Sequence, residues 1–255
     1  MMDREVEAFR ELYPRVDVQM ATGGSREGVA ALMSQTADLV VAARELEPEE
    51  RSVVVKGGME IEGYRFAKDA VCVVVNPANR TVSISVEDLR RIYLGEARQW
   101  ADVHGIGGTI VPVIPPLAGD LMTSFMQRVM GGEAPTAPAL RADSDSGVVS
   151  LVRANPGAVG FVSSVYAASD VKVLRVSSIT GLPNWKPDAE RVYRGDYPLS
   201  RLLNLYVRST GPKLANGLIT FVSTRDGQRI VHEAGFVPTT VPVRFVRRSP
   251  MMGTH

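Results

Sequence analysis

The chain has 255 residues, with 29 Lys+Arg against 28 Asp+Glu, three His and one Cys; 45% of it is hydrophobic and 22% charged. A net charge of +1 lacks the basic excess that nucleic-acid or anionic-membrane binding draws on. Cys72 alone excludes an internal disulfide framework and a Cys-based zinc cage, and the apolar content excludes disorder as the main state.

The length suits one large domain or two lobes. The longest apolar runs, such as Val71–Val75, fall far short of the roughly 20 residues a membrane helix needs. The opening MMDREVEAFRELYP is acidic and amphipathic and does not read as a signal peptide.

In chain order, Val6, Phe9, Leu12 and Tyr13 share one helical face, and Pro14 ends that helix. Val16–Met20 alternates like a short strand. A tight loop, Ala21-Thr22-Gly23-Gly24-Ser25, leads into a helix carrying Val29, Leu32 and Met33, and Asp38–Ala42 reads as a buried strand. The continuous apolar run Ala70–Val75 predicts a strand covered on both faces, broken by Asn76-Pro77. Ser85 with Asp88 forms a capping box ahead of Leu89, Ile92 and Tyr93, and Gly95 ends that helix. Thr109–Ile114 predicts a strand, Met122, Phe125, Met126 and Val129 a helix stopped by Gly131-Gly132, Gly147–Arg153 a short helix, and Ala158–Val162 a strand. Beyond these, Val171–Val176 alternates like a strand, Thr180–Asp188 is loop-like, and Pro198–Arg208 is extended or helical. Helices follow over Leu214–Ser223 and Gly227–Ala234, with Gly235 as cap. The alternation belongs to the α/β class. Three arginines in Arg244–Arg248 read as a solvated tail.

No enzyme signature emerges. His104, His232 and His255 stand outside any nucleophile-elbow or metal-ligand spacing. Cys72, inside an apolar strand, reads as an inert buried thiol. The glycine pairs lack the Lys-Ser/Thr ending of a phosphate-binding P-loop. The expectation is a non-enzyme with no cofactor and no metal.

An ordered set of segments resembles the phosphate-type periplasmic solute-binding proteins, the substrate-binding components of ABC importers. It comprises Phe9–Pro14 with Gly24-Ser25-Arg26-Glu27-Gly28, Ala37-Asp38-Leu39 with Arg44-Glu45-Leu46, and Asp69–Asn76 with Ile92-Tyr93-Leu94-Gly95 and Trp100. Asn155–Phe161, Gly195–Arg201 and Gly235-Phe236-Val237-Pro238 complete it. The resemblance implies a two-lobed type II periplasmic-binding-protein fold with a ligand cleft between α/β lobes. Lobe one would be residues 1–70 plus 166–255 and lobe two 71–165, with Val71–Val75 and a strand near Val171 as the crossovers. It further implies a small anion, phosphate or a relative, as ligand, an ABC permease as partner, and a place in the periplasm or cell envelope.

The ligand contacts it implies are Thr22, Gly24, Ser25, Arg44, Gly119 and Asp120. Gly24-Ser25 opens a helix, where free N–H groups and the helix dipole favour an anion. Ser25 has two readings: an anion donor, or an N-cap bonding its own helix. Arg44 is a bidentate oxyanion partner or a salt bridge to Glu45, Glu47 or Glu49. The Asp143–Ser146 loop reads as a helix cap.

Three departures stand against the family pattern. The strand and Gly-Ser loop that open the family before its first helix are not in this sequence. Ala42 and Ala43 replace polar residues ahead of Arg44. Pro115 falls on the family's lobe-two arginine, and Gly119-Asp120-Leu121 falls on its Ser-Gly-Thr. Asp120 would repel an oxyanion there, and would suit only a protonated anion or a cationic ligand. The alternative is a descendant that keeps the fold, has lost phosphate binding, and serves as a sensory, interaction or other small-ligand module.

Overall fold

The computed structural model describes residues 1–106, 108–167 and 170–239; the arginine tail and His255 lie outside the described residues. The most informative element is a 15-residue strand, Ile61–Val75. Its first half reads Ile-Glu-Gly-Tyr-Arg and is mostly exposed; its second half is the apolar run predicted from the sequence and is buried throughout. The two halves pair with different partners. Ile61–Ala70 lies antiparallel to Ser200–Arg208, which in turn pairs with Leu39–Ala42. Val71–Val75 lies antiparallel to Ala158–Ser163, beyond which Val111–Ile114 and Leu140–Arg141 run parallel.

The side chains divide the same way. One group joins Val6 and Phe9 of the first helix, Met2–Leu12, to Phe66, Leu203, Leu205, Val207 and the helices Lys213–Val222 and Arg225–Glu233. Val29, Leu32, Val40, Ala42 and Tyr206 form a satellite beside it. The larger group runs from Ala70 to Leu199 and centres on Tyr93, Phe125 and Phe161. Phe125 and Phe161 stack 3.8 Å apart at 4°, with Tyr93 edge-on at 4.9 Å from Phe125. The α/β assignment is therefore realised as two lobes threaded by one strand.

Most predicted elements are present: Ser25–Met33, Leu39–Ala42, Val86–Tyr93, Val111–Ile114, Asp120–Val129, Asp145–Ala154 and Ala158–Ser163. The Ser85 cap is realised as a donation from the Asp88 N–H at 2.9 Å, with Ser85 Oγ donating to the Asp88 carboxylate at 2.7 Å. Ser144 caps the helix at Asp145 by accepting from Gly147 N–H. Gly95 takes φ +79° after the helix ends. Cys72 is buried, and that burial, with the charge of Asp69 adding to it, pushes its thiol up to about 12. His232 is an exposed helix residue.

Three expectations change. Val16–Met20 forms no strand. Val16 and Val18 half-bury against the first core, but among the described residues Leu39–Ala42 pairs only with Ser200–Arg208, and alternation without a ladder partner does not make a strand. The strand expected near Val171 is split into Lys172–Val173 and Arg175–Ser177, and it is not a crossover. Its apolar residues Val171, Leu174 and Val176 pack in the larger core, and the chain returns to the first core through Leu199 and Ser200 instead. A short helix, Ala189–Arg194, follows the loop.

The run Asn155-Pro156-Gly157 has a steric reason. The Gly157 carbonyl accepts from Val111 N–H at 3.0 Å and from Trp100 Nε1 at 3.2 Å, and a Cβ on Gly157 would sit 2.2 Å from the Thr109 carbonyl oxygen. Gly157→Ala should therefore push the two backbones apart and destabilise by about 1–3 kcal/mol, read as a lowered thermal midpoint. An unchanged midpoint would contradict this packing.

Candidate ligand site

The helix Ser25–Met33 begins after Gly24, whose N–H donates to Glu27 Oε2 at 2.8 Å. Ser25 is the first helical residue and is 2% exposed. Its hydroxyl does not cap its own helix. Ser25 Oγ accepts from Ala43 N–H at 2.9 Å and donates to Asp120 Oδ2 at 2.6 Å. Ser25 N–H also points at the same carboxylate, 3.3 and 3.2 Å from its two oxygens. The carboxylate thus sits on a helix N-terminus, where the partial positive charge of unpaired N–H groups favours it.

Asp120 comes from the other lobe. It opens the helix Asp120–Val129, with Gly119 as N-cap, and the next residues, Leu121 and Met122, are buried in the larger core. Gly119 serves its own turn: its N–H donates to the Pro116 carbonyl and its carbonyl accepts from Thr123. Thr22 is exposed in the irregular stretch before the helix.

Arg44 lies beside this contact, with its side chain 9% exposed. Its two terminal nitrogens each donate to Glu50 at 2.7 Å, and its Nε is 3.7 Å from Glu47. The hydrogen bonds to Glu50 push the guanidinium above its ordinary value against the opposing effect of burial, and the charges of Glu50, Glu47 and Asp120 add to this. Burial works to raise Glu50, but the Arg44 hydrogen bond and the Glu47 N–H outweigh it and hold Glu50 low.

Of the carboxylates expected to pair with Arg44, only Glu47 approaches it. Glu45 instead meets Arg51 and Arg65. Glu50 escaped sequence reasoning, although its place three residues after Glu47 at a Pro48 helix start was a signal. There its Oε2 both accepts from Glu47 N–H at 2.8 Å and forks Arg44. The Ala43 N–H, which orients the Ser25 hydroxyl, was also missed, since a backbone donor leaves no mark on residue type. Arg26 is exposed and turned toward Glu47 at 3.6 Å.

Ser25, Arg44 and Asp120 are thus brought together across the two lobes, while Thr22 and Gly119 flank them. The PBP superfamily domain matches residues 1–226. The chain belongs to that superfamily. Phosphate-binding protein PstS of Bacillus subtilis is 28% identical over 238 residues, covering 92% of this chain and 75% of the relative. PstS of Pseudomonas aeruginosa is 23% identical, covering 95% and 80%. Among solved structures, an ABC-type phosphate transport receptor from Vibrio cholerae superposes with TM-score 0.80 at 26% identity, covering 92% of this chain and 94% of that one. A putative phosphate ABC transporter substrate-binding protein from Clostridium perfringens, with bound phosphate, also gives TM-score 0.80 at 22% identity, covering 93% of each chain. The two-lobed architecture of this PBP-superfamily chain agrees with both. No helix among the described residues is long and apolar enough to cross a membrane.

Proposed function

We propose that this chain binds phosphate or a related small oxyanion between its lobes, as the solute-binding component of a phosphate-type ABC importer. The observation that carries the reading is the carboxylate on Ser25. An N–H and a hydroxyl at a helix N-terminus, the hydroxyl oriented by Ala43 N–H, already hold a two-oxygen anion there. The names of the relatives and structural neighbours support phosphate as the anion. On this reading the partners are the anion and an ABC permease, the place of work is the periplasm or cell envelope, and no chemistry is performed on the ligand.

We place the lobe boundary differently from the family-based expectation. Lobe two is best drawn as residues 71–199, because Val171, Leu174, Val176, Val192, Tyr197 and Leu199 pack with the larger core. Residues 1–70 and 200–239 make lobe one.

Calorimetric titration tests the function. Phosphate should bind with measurable heat, and Ser25→Ala should weaken it about tenfold by removing a hydrogen bond to a charged group. Absence of heat and of thermal shift at millimolar phosphate would overturn the proposal. That result would favour the second reading, a fold retained without phosphate binding. Pro115 and Gly119-Asp120-Leu121, standing where donors are expected, motivate that alternative.

A further inference from the structure

We infer that Asp120 is a tethered anion, a latch that closes the cleft over the Ser25 donors without ligand and that an incoming oxyanion must displace. The inference rests on the reading of Ser25 as the anion site. Three observations carry it.

First, the contact saturates the donors. Both the Ser25 N–H and the Ser25 hydroxyl are spent on one carboxylate, and Ser25 is 2% exposed. The hydroxyl accepts from Ala43 N–H, so its own proton is directed at Asp120. An oxyanion from solution finds no free donor on Ser25 while Asp120 is seated.

Second, the contact joins two separately packed bodies. Ser25 leads into Val29 and Leu32 of the satellite beside the first core, and Asp120 leads into Leu121, Met122 and Phe125 of the larger core. A short Asp side chain at the first residue of its helix cannot follow Ser25 far. Parting the lobes therefore breaks the contact, and making it holds them together. This is the hinge-closure geometry that a ligand otherwise enforces, supplied here by the chain.

Third, the local charge opposes a second anion. Arg26 and Arg44 stand against Glu27, Glu47, Glu50 and Asp120, and both guanidiniums face Glu47 or Glu50. Adding an oxyanion beside a seated Asp120 sets like charges together; exchanging it for Asp120 does not. Exchange is the favoured route, and the apparent affinity is the intrinsic affinity multiplied by the fraction of molecules that are unlatched.

The test is small-angle X-ray scattering of the full chain in phosphate-free buffer, paired with phosphate calorimetry, on wild type, Asp120→Ser and Ser25→Ala. Asp120→Ser removes the carboxylate and should enlarge the radius of gyration of the ligand-free protein; Ser25→Ala removes the hydroxyl but keeps the N–H donor, so it should enlarge it less. Asp120→Ser should also tighten phosphate binding by at least about tenfold, whereas Ser25→Ala should not. An unchanged radius in both variants overturns the latch, whatever phosphate does. Equal or weaker phosphate binding by Asp120→Ser overturns the exchange. If the radius grows while no protein in the set binds phosphate, the latch stands and the phosphate reading fails, so the two are separable. Asp120→Ala, which removes the carboxylate outright, keeps the scattering test decisive should Asp120→Ser fold poorly, and an unchanged radius in it likewise overturns the latch.

Discussion

Asp69→Ala is expected to lower the unfolding free energy by about 3–5 kcal/mol, the cost of removing one partner from a buried ion pair. Asp69 is 0% exposed and sits where the long strand passes between lobes, just after Lys68 and just before the Val71 pairing with Ser163. Its Oδ2 receives Arg201 Nε at 2.9 Å and a terminal Arg201 nitrogen at 2.8 Å. Its Oδ1 receives Ser163 Oγ at 2.9 Å, Ser164 N–H at 3.1 Å and Ser164 Oγ at 2.9 Å. One carboxylate thereby ties the outgoing strand, the returning strand and the end of the strand Ala158–Ser163 with Ser164 after it. Alanine leaves Arg201, whose side chain is 12% exposed, as an uncompensated charge. Asp69→Asn keeps the shape and one acceptor but loses the charge, so it should fall between alanine and wild type. Arg201→Ala combined with Asp69→Ala should cost less than the two single changes added together. Urea unfolding with an unchanged slope measures these differences. A loss below about 1 kcal/mol for alanine, the range of a surface pair, would show that the hub is structurally idle.

The second large effect has the opposite sign. Glu5 is fully buried in the first helix, and neither of its carboxylate oxygens has a hydrogen-bond partner. Burial pushes it up to about 7, against the smaller pull of nearby positive charge that includes Arg4. The unfolded value is near 4.5. Between those values the folded protein holds a proton that the unfolded chain has released, so stability falls as pH rises from about 4.5 to about 7 and stays low above it. The gap between the two values is worth about 3 kcal/mol. Glu5→Gln carries no charge at any pH. It should be more stable than wild type by about 2–3 kcal/mol at pH 8, with the difference vanishing toward pH 4.5. Chemical unfolding of both proteins at the two pH values isolates Glu5 from the other carboxylates. An equal difference at both would show that Glu5 titrates normally.

What the sequence made legible follows from the range of each interaction. Ala70–Val75 reads correctly because burial on both faces leaves a continuous apolar run, and the Ser85 and Ser144 caps read correctly because a cap closes within three residues. Val16–Met20 misled because alternation reports two-sided exposure but not whether a neighbouring strand exists. Pro198–Arg208 stayed ambiguous because its apolar cluster, Leu202, Leu203, Leu205 and Tyr206, fits either period until its pairing with Ile61–Ala70 is seen.

At the site, the family resemblance singled out Ser25, Arg44 and Asp120, and the departure at Gly119-Asp120-Leu121 marked Asp120 as a carboxylate where donors were expected; the structure sets that carboxylate on Ser25 and Arg44 on Glu50. The destination of Asp120 was not legible. A contact across 95 residues has no local signature, and the chemistry that makes Asp120 a poor host for an oxyanion makes it a good guest for the same donors. Glu50 was missed for a related reason, since a partner six residues on, across Pro48, lies outside helical spacing.

The division of the cores also orders events during synthesis. The buried members of the larger core are contiguous, from Ala70 to Leu199, so all of them are made before the return strand, and domains generally fold as units while the chain lengthens. The other core is split: Val6 and Phe9 wait for Leu218, Phe221 and Val231, more than two hundred residues later. Until the last helices arrive, the amphipathic first helix has no complete surface to rest on. The core of the lobe that carries Ser25 is therefore completed last, and the apolar face of Met2–Leu12 stays uncovered until Lys213–Val222 and Arg225–Glu233 have been made.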